Sequence, residues 1–523
     1  MSYPPSYNAV RADGWVGLGH PYGPLTNGPS DTPFVRDGIV HAMTPDWNVM
    51  AAVTNGSDYI KNLHDRYLPK EPREDDDAYN ARVYRSVLSP YTLRLIENAA
   101  GMVLRRPITV DGDRYWRDFS KNVDGLGSSI NEYARRALVS SLTYGHSAIL
   151  VDFPPNPGIL TLRDEIALGR RPYFINIDAP QIWGWRQEST LPSSKLTQVR
   201  LHEWVCIPEG DFGEKREEQI RVIYPGRYET WNTEGIIGTG TYSLDEIPLI
   251  PIYSNRQGML TSKPPLLDIA SLNITHYQRQ ADLIHALHIA AMPILVLEGW
   301  DDQPEGTSVG VNYGLSTVPG NKVYYVGADS SSFAAQQEEI GQLEQQMSTL
   351  GVTKLLGQKF VAESADAKRI DQAQANSVLS IISMELESAL QQAYDVAAIY
   401  TGRTAPKIKL DRDFDFYRLL GQDVAVIGDL NASGAITDKT FLEILKSGEI
   451  LPDTIDIGKE LRETKALKEQ KRRELLDSQP VAGSVGTGPA SSAAGARGSR
   501  SSGGNGGGTK TQGSKEAQDR ARR

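Results

Sequence analysis

Cysteine is nearly missing from this sequence: the 523 residues include one, Cys206. A single cysteine excludes an intrachain disulfide, a CxxC redox pair and a cysteine-rich zinc site. It fits a protein that is assembled in a reducing, intracellular compartment.

Long hydrophobic runs are also missing. No segment approaches the roughly 18 to 20 consecutive apolar residues that a membrane-spanning helix needs. The first residues, MSYPPSYNAVRADG, have neither the basic start nor the apolar core of a secretory signal. We therefore predict neither export nor insertion into a membrane.

The chain lacks an excess of positive charge, since 55 Lys and Arg stand against 65 Asp and Glu and the net charge is −10. This balance argues against a protein that wraps nucleic acid tightly by neutralising phosphates. It remains compatible with a protein past which DNA slides, where weak repulsion is useful. The exception is the C-terminal tail, which from Gln479 onward carries 7 basic and 2 acidic residues, or about +5.

Motifs for catalysis and cofactor binding are missing as well. The chain has no GxxxxGK[ST] phosphate-binding loop and no Gx[ST]xG nucleophile elbow. Ser147 is expected at the start of a buried strand. The glycines of GIIGTGTYS lack the strand and helix of a dinucleotide site, so we predict a turn there. We predict no catalytic residue and no cofactor.

The segment KLDRDFDFY resembles a calcium loop only superficially, with Asp411, Asp413 and Asp415 in alternation. Phe416 replaces the glycine that makes the sharp turn, and Gln422 replaces the closing glutamate. We therefore predict an edge strand or loop and no metal site.

A histidine-rich helix is the strongest candidate for chemistry. The stretch LLDIASLNITHYQRQADLIHALHIAAM contains His276, His285 and His288 beside Arg279 and Asp282. Two histidines at i and i+3 could share a ligand, but zinc needs a third or fourth ligand and an enclosed second shell, and none is identifiable. We expect polar-face or subunit-contact histidines, with Arg279, Asp282 and His285 in surface pairs along the helix worth a few tenths of a kcal/mol.

Periodicity gives the order of elements. Residues 1–45 are rich in Gly and Pro and predict an extended arm, and regular structure is expected from about Asp46, with a helix to Pro69. The acidic run at residues 74–77 is expected to complement a helix N-terminus. Ser129 and Glu132 predict a capping box. Between residues 172 and 252 apolar and polar residues alternate, which predicts an antiparallel β region rich in aromatic residues.

The C-terminal half is predicted to be mostly helical. The segment FAAQQEEIGQLEQQMSTLG carries one apolar seam, formed by Ile340, Leu343, Met347 and Leu350, and its other face is Gln and Glu. A long helix is expected from about residue 366 to 400, followed by a short helix in GAITDKTFLEILKSGEILPD and the charged helix KELRETKALKEQKRRELL. The tail from residue 478 has too few apolar residues to fold and is expected to be disordered.

The order of elements resembles that of phage portal proteins, specifically portals of tailed phages of the short-tailed cyanophage type. The resemblance is one of pattern, covers roughly residues 80 to 400 and contains no diagnostic motif. The matching stretches are NARVYRSVLSPYTLRLIENAAGMVLRRP, SSINEYARRALVSSLTYGHSAILVDFP, PYFINIDAPQIWGWR, KPPLLDIASLNITHYQRQADLIHALHIAAMPILVLEG and LEQQMSTLGVTKLLG.

The resemblance implies an α+β portal fold in which copies of the chain form a ring, here expected to be a dodecamer. Its parts would be a mixed α/β wing, a stem of two helices, a small β clip, a tunnel loop and a helical crown. The corresponding ranges are the arm, 1–45; the wing, 46–262; the first stem helix, 263–292; the clip, 293–331; the second stem helix, 332–352; the tunnel loop and wing-return helix, 353–410; the crown, 411–477; and the basic Gly/Ser-rich tail, 478–523.

The implied function is to form the channel at one capsid vertex through which DNA is packaged and later ejected, and on which tail proteins dock. Implied partners are other copies of the chain, the terminase large subunit, a tail adaptor, the major capsid and scaffolding proteins, and double-stranded DNA. The protein would be assembled in the host cytoplasm and lie in the virion. Two other classes stay open: a different structural ring such as a head-tail adaptor, and an enzyme with an unrecognised site.

Candidate functional residues follow from this path. The acidic residues Glu338, Glu339 and Glu344 would face the channel or a neighbouring subunit. The basic residues Lys354, Lys359, Lys368 and Arg369 lie where the tunnel loop is expected, with a solvated basic stretch as the alternative. Trp300, Asp301, Asp302 and Glu305 would form a docking surface on the clip, with an ordinary exposed turn as the alternative.

Overall fold

Two units make up the chain, residues 1–415 and residues 416–523. A computed structural model describes residues 32–154, 170–190, 193–291, 294–298, 322–326, 330–351, 365–411, 421–447, 450–452 and 455–477. The boundary between the units lies a few residues after residue 411, where the sequence predicts the crown to begin. Both helices and strands are present, as the α+β expectation requires.

The first unit contains helices and antiparallel strands in alternating groups. Its helices are α1 (Gly38–Thr54), α2 (Ser57–Asn62), α3 (His64–Tyr67), α4 (Asp76–Arg85), α5 (Tyr91–Val103), α6 (Arg114–Phe119), α7 (Ile130–Tyr144), α8 (Leu267–Ala290), α9 (Ser330–Gly351) and α10 (Ala365–Thr401). Its strands are β1 (Thr109–Asp111), β2 (His146–Asp152), β3 (Tyr173–Asp178), β4 (Ile182–Thr190), β5 (Ser193–Glu209), β6 (Gly213–Tyr224), β7 (Arg227–Asn232), β8 (Gly235–Thr241), β9 (Leu249–Tyr253), β10 (Arg256–Gly258), β11 (Thr261–Ser262), β12 (Ile294–Glu298), β13 (Lys322–Val326) and β14 (Lys407–Lys409).

Within the described residues, the strands form two main antiparallel sheets and three short pairs. One sheet has the order β3-β2-β9, and the other is a meander in the order β4-β5-β6-β7-β8. The short pairs are β10 with β11, β12 with β13, and β1 with β14. The antiparallel, aromatic-rich region predicted between residues 172 and 252 is therefore confirmed.

Helix α7 and strand β2 illustrate how local sequence produces the fold. Ser129 Oγ accepts from the Glu132 backbone N–H, and the Glu132 carboxylate accepts from the Ser129 backbone N–H at 2.8 Å, which confirms the predicted capping box. Gly145 ends the helix with φ +92°, a left-handed conformation that favours glycine. The buried strand β2 follows directly, and Ser147 donates to the Ala137 carbonyl at 2.8 Å, as expected for a structural serine.

The main core joins α7, α10 and the sheet β3-β2-β9. One face of α10 is buried through Leu379, Ile382, Leu386 and Leu390, at spacings of 3, 4 and 4. Aromatic side chains fill the space beside it: Tyr394 packs on Phe174 and Trp116 with ring centroids 5.4 and 5.6 Å apart. The long helix predicted between residues 366 and 400 is confirmed, and it ends before Gly402, as expected.

The segment before α1 covers one edge of the five-stranded sheet. The Asp37 backbone N–H donates to the Trp183 carbonyl at 2.9 Å, and its carboxylate accepts from the Trp185 N–H at 2.9 Å and pairs with Arg200. The prediction of an extended arm to residue 45 is wrong for residues 38–45, which belong to α1. Pro45 lies inside this helix and obscures its pattern, while burial of Val40 against Ala179 stabilises it.

Two further local predictions need correction. The sequence predicts a turn for GIIGTGT, but the segment forms β8, whose backbone pairs with β7. A Cβ at Gly240 would lie 2.4 Å from the Tyr228 ring, so a larger residue there would displace that ring. The helix predicted from residue 46 to 68 is interrupted at Asn55 and Gly56, where Gly56 has φ +89°.

The second unit is helical in its described residues. It contains α11 (Gly421–Ala432), α12 (Asp438–Ser447) and α13 (Ile457–Asp477). The sequence predicts α12 and α13 but not α11. The Asp438 carboxylate accepts from Lys468 at 2.9 Å and joins α12 to α13.

Candidate functional site

Helices α8 and α9 form the most distinctive pair of elements, and the short antiparallel pair β12 and β13 lies between them in the chain. The helices contain 24 and 22 residues, which corresponds to lengths of about 36 and 33 Å. His276 contacts Glu344 while Arg279, further along α8, contacts Glu339, nearer the start of α9. The two helices are therefore antiparallel.

Two polar side-chain contacts join α8 to α9. Arg279 Nε donates to the Glu339 carboxylate at 3.0 Å, and His276 Nε2 lies 3.2 Å from Glu344 Oε1. Both glutamates remain about half exposed, at 49% and 45%. Two of the three acidic residues expected to face a channel or a neighbour thus also pair within the chain. Glu338, the third, accepts from the Gln342 amide at 3.5 Å along its own helix.

Tyr91 on α5 completes the polar cluster around Glu344. Its ring packs edge-on against His276, which is buried, with centroids 5.3 Å apart. Burial, and then a hydrogen bond to Glu344, raise the pKa of Tyr91 to about 12. The Glu344 carboxylate on α9 is thus contacted by Tyr91 from α5 and by His276 from α8.

A second charged cluster joins α8 to α4. Arg82 is buried and donates to the Glu74 carboxylate at 2.7 Å, to Asp282 at 3.0 Å and to the Pro69 carbonyl at 2.9 Å. The hydrogen bond from Arg82 lowers the pKa of Glu74. Burial raises the pKa of Asp282, and Arg82 acts in the opposite direction.

The main partners of Arg279, Asp282 and His285 lie on other helices, although Arg279 still acts to lower the pKa of Asp282 along α8, as expected. Arg279 pairs with α9, Asp282 with Arg82, and His285 Nδ1 lies 3.4 Å from the Arg85 guanidinium. Contacts to other helices replace the expected surface pairs within α8, because α8 is packed between those helices.

The acidic run at residues 74–77 has two roles. Asp75 caps α4 by accepting from the Ala78 N–H at 2.7 Å, as expected for acidic residues at a helix N-terminus. The run also supplies Glu74 to the buried Arg82. The second role depends on tertiary packing and is not visible in the sequence.

Metal binding at the histidines finds no support in this geometry. Burial, followed by the neighbouring Arg85, lowers the pKa of His285, so a cation already stands beside its ring. Among the residues that the structure describes, no group of three or more His, Cys, Asp or Glu side chains is placed to hold a metal ion. The same part of the chain contains no helix long and apolar enough to cross a bilayer.

Sequence reasoning misses two anchoring residues of α8. Asn273 is fully buried; its Oδ1 accepts from the Thr92 N–H at 3.2 Å, and its Nδ2 donates to the Ser89 carbonyl at 3.0 Å. The Tyr277 hydroxyl lies 2.8 Å from Ser86 Oγ. Their spacing of four residues places them on one helical face. This spacing is the sequence feature by which they could have been identified.

The structure describes only some of the remaining predicted residues. Lys368 and Arg369 belong to the first turns of α10. The predicted basic residues Lys354 and Lys359 lie outside the described residues. The predicted clip residues Trp300, Asp301, Asp302 and Glu305 lie outside them as well.

Comparison with known proteins selects the same region. A family described as a domain of unknown function (DUF4055) matches residues 265–401, from just before α8 to the end of α10. No curated protein matches the chain.

Several solved structures are similar to the chain at low identity. A chain in the virion of a native gene transfer agent particle is 16% identical, with 70% of this chain and 91% of that chain covered and a TM-score of 0.36. A chain in the neck of the native particle, computed with C12 symmetry, is 14% identical, with 68% and 89% covered and a TM-score of 0.35. One in the neck of the empty particle, computed with C6 symmetry, is 15% identical, with 70% and 91% covered and a TM-score of 0.36. Similarity this low is no evidence of function.

Proposed function

We propose that this chain is a portal protein that forms a ring, expected to be a dodecamer, at one vertex of a phage capsid. DNA enters through the ring during packaging and leaves through it during ejection. The observation that carries the proposal is the antiparallel pair α8 and α9 with a small β pair inserted between its helices. In each subunit such a pair forms one segment of the channel wall, about 33 to 36 Å long.

Exposed apolar residues support assembly into a ring. On α10, Val378, Ile381 and Met384 follow each other at spacings of three residues and are 37%, 55% and 42% exposed. The opposite face of α10 is buried in the core. At the end of α8, Leu287 and Ile289 are 40% and 52% exposed. Because apolar stripes of this kind mark interaction surfaces, they fit contacts with identical neighbours, and a head-to-tail contact closes into a ring when the rotation permits.

The acidic face of α9 fits a channel. Glu338 is exposed, its amide partner Gln342 lies one turn further along the helix, and the surrounding surface is rich in Gln and Glu. Carboxylates repel phosphate and prevent DNA from sticking to the wall. The end of the α8–α9 pair that carries β12 and β13 would then contact the terminase large subunit and later a tail adaptor. The wing would contact capsid and scaffolding proteins.

Electron microscopy of the purified protein tests this proposal. A portal gives uniform rings with a central hole, and native mass spectrometry counts the copies. Particles that stay monomeric or dimeric well above micromolar concentration, at several salt concentrations, would overturn it. A ring that assembles but does not support DNA packaging, when supplied with capsid and motor proteins, would favour a head-tail adaptor instead.

A further inference from the structure

Helix α13 begins the most basic part of the chain. From Ile457 to the end of the sequence there are 14 Lys and Arg against 7 Asp and Glu, although the whole chain has a net charge of −10. The helix itself contributes seven of those cations. This last part thus has a net charge of +7 (14 minus 7), while residues 1–456 have a net charge of −17 (41 minus 58).

The cations of α13 form a face that widens toward its end. Lys465, Lys468 and Arg472 are spaced at three and four residues and lie along one side of the helix. Lys471 and Arg473 flank Arg472, each turned from it by about 100° around the helix axis. The acidic residues Glu463 and Glu474 lie on the side opposite Arg472, whereas Glu469 lies about 60° from it around the helix axis, between Arg472 and Arg473.

The described part of the chain leaves the end of the basic face exposed. Lys468 pairs with Asp438 on α12. Beyond Lys468, the side chains of Lys471, Arg472 and Arg473 are exposed. Among the described side chains, no carboxylate forms an ion pair with these three. The last turns of the helix thus extend past its contact with α12 and present three cations to solvent.

The partner that fits this surface is a row of phosphates. Protein interfaces depend on buried apolar or aromatic anchors, and the turns from Lys468 to Glu474 contain none. Nucleic-acid backbones are bound instead by exposed Lys and Arg, which displace condensed counterions. Double-stranded DNA has about one negative charge for each 1.7 Å of its axis, so neighbouring phosphates can meet successive cations of the helix.

We propose that Lys471, Arg472 and Arg473 on α13 form a contact surface for the phosphates of double-stranded DNA. This inference rests on the proposed function, which brings DNA to the ring. The contact is independent of base sequence, because phosphates carry no sequence information. It adds a site of attraction to a protein whose channel helix is acidic.

The test measures binding of the full chain to a labelled 30-base-pair duplex by fluorescence anisotropy at several NaCl concentrations. The triple variant K471Q/R472Q/R473Q is expected to bind more weakly. Its slope of log Kd against log salt should be shallower by about 0.9 for each phosphate that the variant no longer neutralises, or ~2.7 for three. The variant K471R/R472K/R473K keeps the charges and should keep the wild-type slope.

A matched control removes three exposed cations elsewhere. Arg114, Arg117 and Lys121 lie in and just after α6, and their replacement by Gln changes the net charge by the same amount. This control should leave the slope unchanged. An equal decrease in slope for both triple variants, an unchanged slope in the α13 variant, or no binding of duplex by the wild type would each overturn the inference.

Two further measurements separate the alternatives. Binding of polyglutamate that depends on the same three residues and exceeds binding of duplex would identify an acidic protein partner and overturn the DNA contact. Electron microscopy of the same samples shows separately whether rings form. Rings without duplex binding would therefore reject this inference while leaving the proposed function standing.

Discussion

Arg82 on α4 and Asp282 on α8 are 200 residues apart in the chain, and their guanidinium and carboxylate meet at 3.0 Å. Glu74 shares the same guanidinium at 2.7 Å, and all but a few per cent of the Arg82 side chain is buried. This cluster joins α8 to α4 and to the segment that precedes it. The charged residues of α8 were expected to pair along its own surface, and this cluster differs most from that expectation.

Replacing Arg82 by Met should be strongly destabilising. The change leaves the buried Glu74 carboxylate without its cation, and breaking one side of a buried ion pair costs about 3 to 5 kcal/mol. Thermal unfolding followed by circular dichroism measures the effect. Arg114→Met is the control: Arg114 forms an exposed pair with Asp118, and its removal should cost less than about 1 kcal/mol. Equal stability of the two variants would show that the buried cluster contributes little.

Stability should fall in acid because of His146. The ring is buried between Trp47 and Tyr253, and burial lowers its pKa to about 3. Between that value and the ordinary pKa of about 6.5, the unfolded chain binds the proton and the folded chain does not. Stability is therefore full above pH 6.5 and decreases as the pH falls toward 3.

The measurement is the melting temperature at pH 7.5 and pH 5. His146→Phe should show a smaller decrease than the wild type, although it lacks the 2.7 Å hydrogen bond to Ser262. His288→Gln, at the exposed end of α8, should keep the wild-type dependence. A His146→Phe variant as acid-sensitive as the wild type would assign the effect to other groups.

Two glycines should respond in opposite directions to substitution by Ala. Gly145 has φ +92°, and a Cβ there would lie 2.5 Å from Ser262 Oγ and 2.9 Å from the Lys263 carbonyl carbon. Gly145→Ala should destabilise by about 1 to 3 kcal/mol. Gly101 is exposed inside α5 with nothing near a Cβ, so Gly101→Ala should stabilise by about 0.5 to 1 kcal/mol. Denaturant midpoints compare the two, and a shift in the same direction would contradict the backbone argument.

Ile381→Asp should weaken ring assembly. The change places a charge in the middle of the exposed apolar stripe of α10, where a neighbouring copy would have to desolvate it. Ile399→Asp is a control on the same helix, because Ile399 is also exposed but stands near the polar residues Gln392 and Asp395. Native mass spectrometry should show smaller species for Ile381→Asp alone. Rings from both variants would place the subunit contact elsewhere without removing the portal proposal.

Glu338→Lys should slow or stall DNA packaging while rings still form. The new cation would attract the phosphates that the carboxylate repels. Glu338 is the most direct choice, since Glu339 and Glu344 also pair with α8. Glu339→Gln serves as the control that removes an intrachain pair without adding a cation. The measurement is packaged DNA per particle, and packaging at the wild-type rate by Glu338→Lys would show that this face does not meet DNA.

Elements with strong periodicity or capping signals could be predicted from the sequence. Ser129 and Glu132 predict α7, the alternation after residue 172 predicts the antiparallel sheets, and prolines and apolar spacing bound α8. The first turns of α1, residues 38–45, are hidden because Pro45 interrupts the pattern, and β8 is hidden because its glycines have no side-chain preference of their own. Its strand conformation comes from pairing with β7, which is a tertiary effect.

The candidate site was predictable in its residues but less so in its contacts. The sequence singles out Arg279, Asp282, His285, Glu339 and Glu344. Their partners depend on how α4, α5 and α9 pack around α8, and spacing along one helix contains no information on that packing. Asn273 and Tyr277 could not be identified because, in a sequence, a polar residue that will be buried cannot be distinguished from one that will be exposed.

The core of the first unit has a consequence for how the protein is made. It combines residues from Met50 to Leu410, and the strand β1 at Thr109 pairs with β14 at Lys409. A ribosome adding about 5 to 20 residues per second needs roughly 13 to 50 s to travel from the end of β2 to β14. During that interval α7 and its sheet lack their α10 cover. We expect that nascent chains cannot complete this unit until α10 and β14 have left the ribosome.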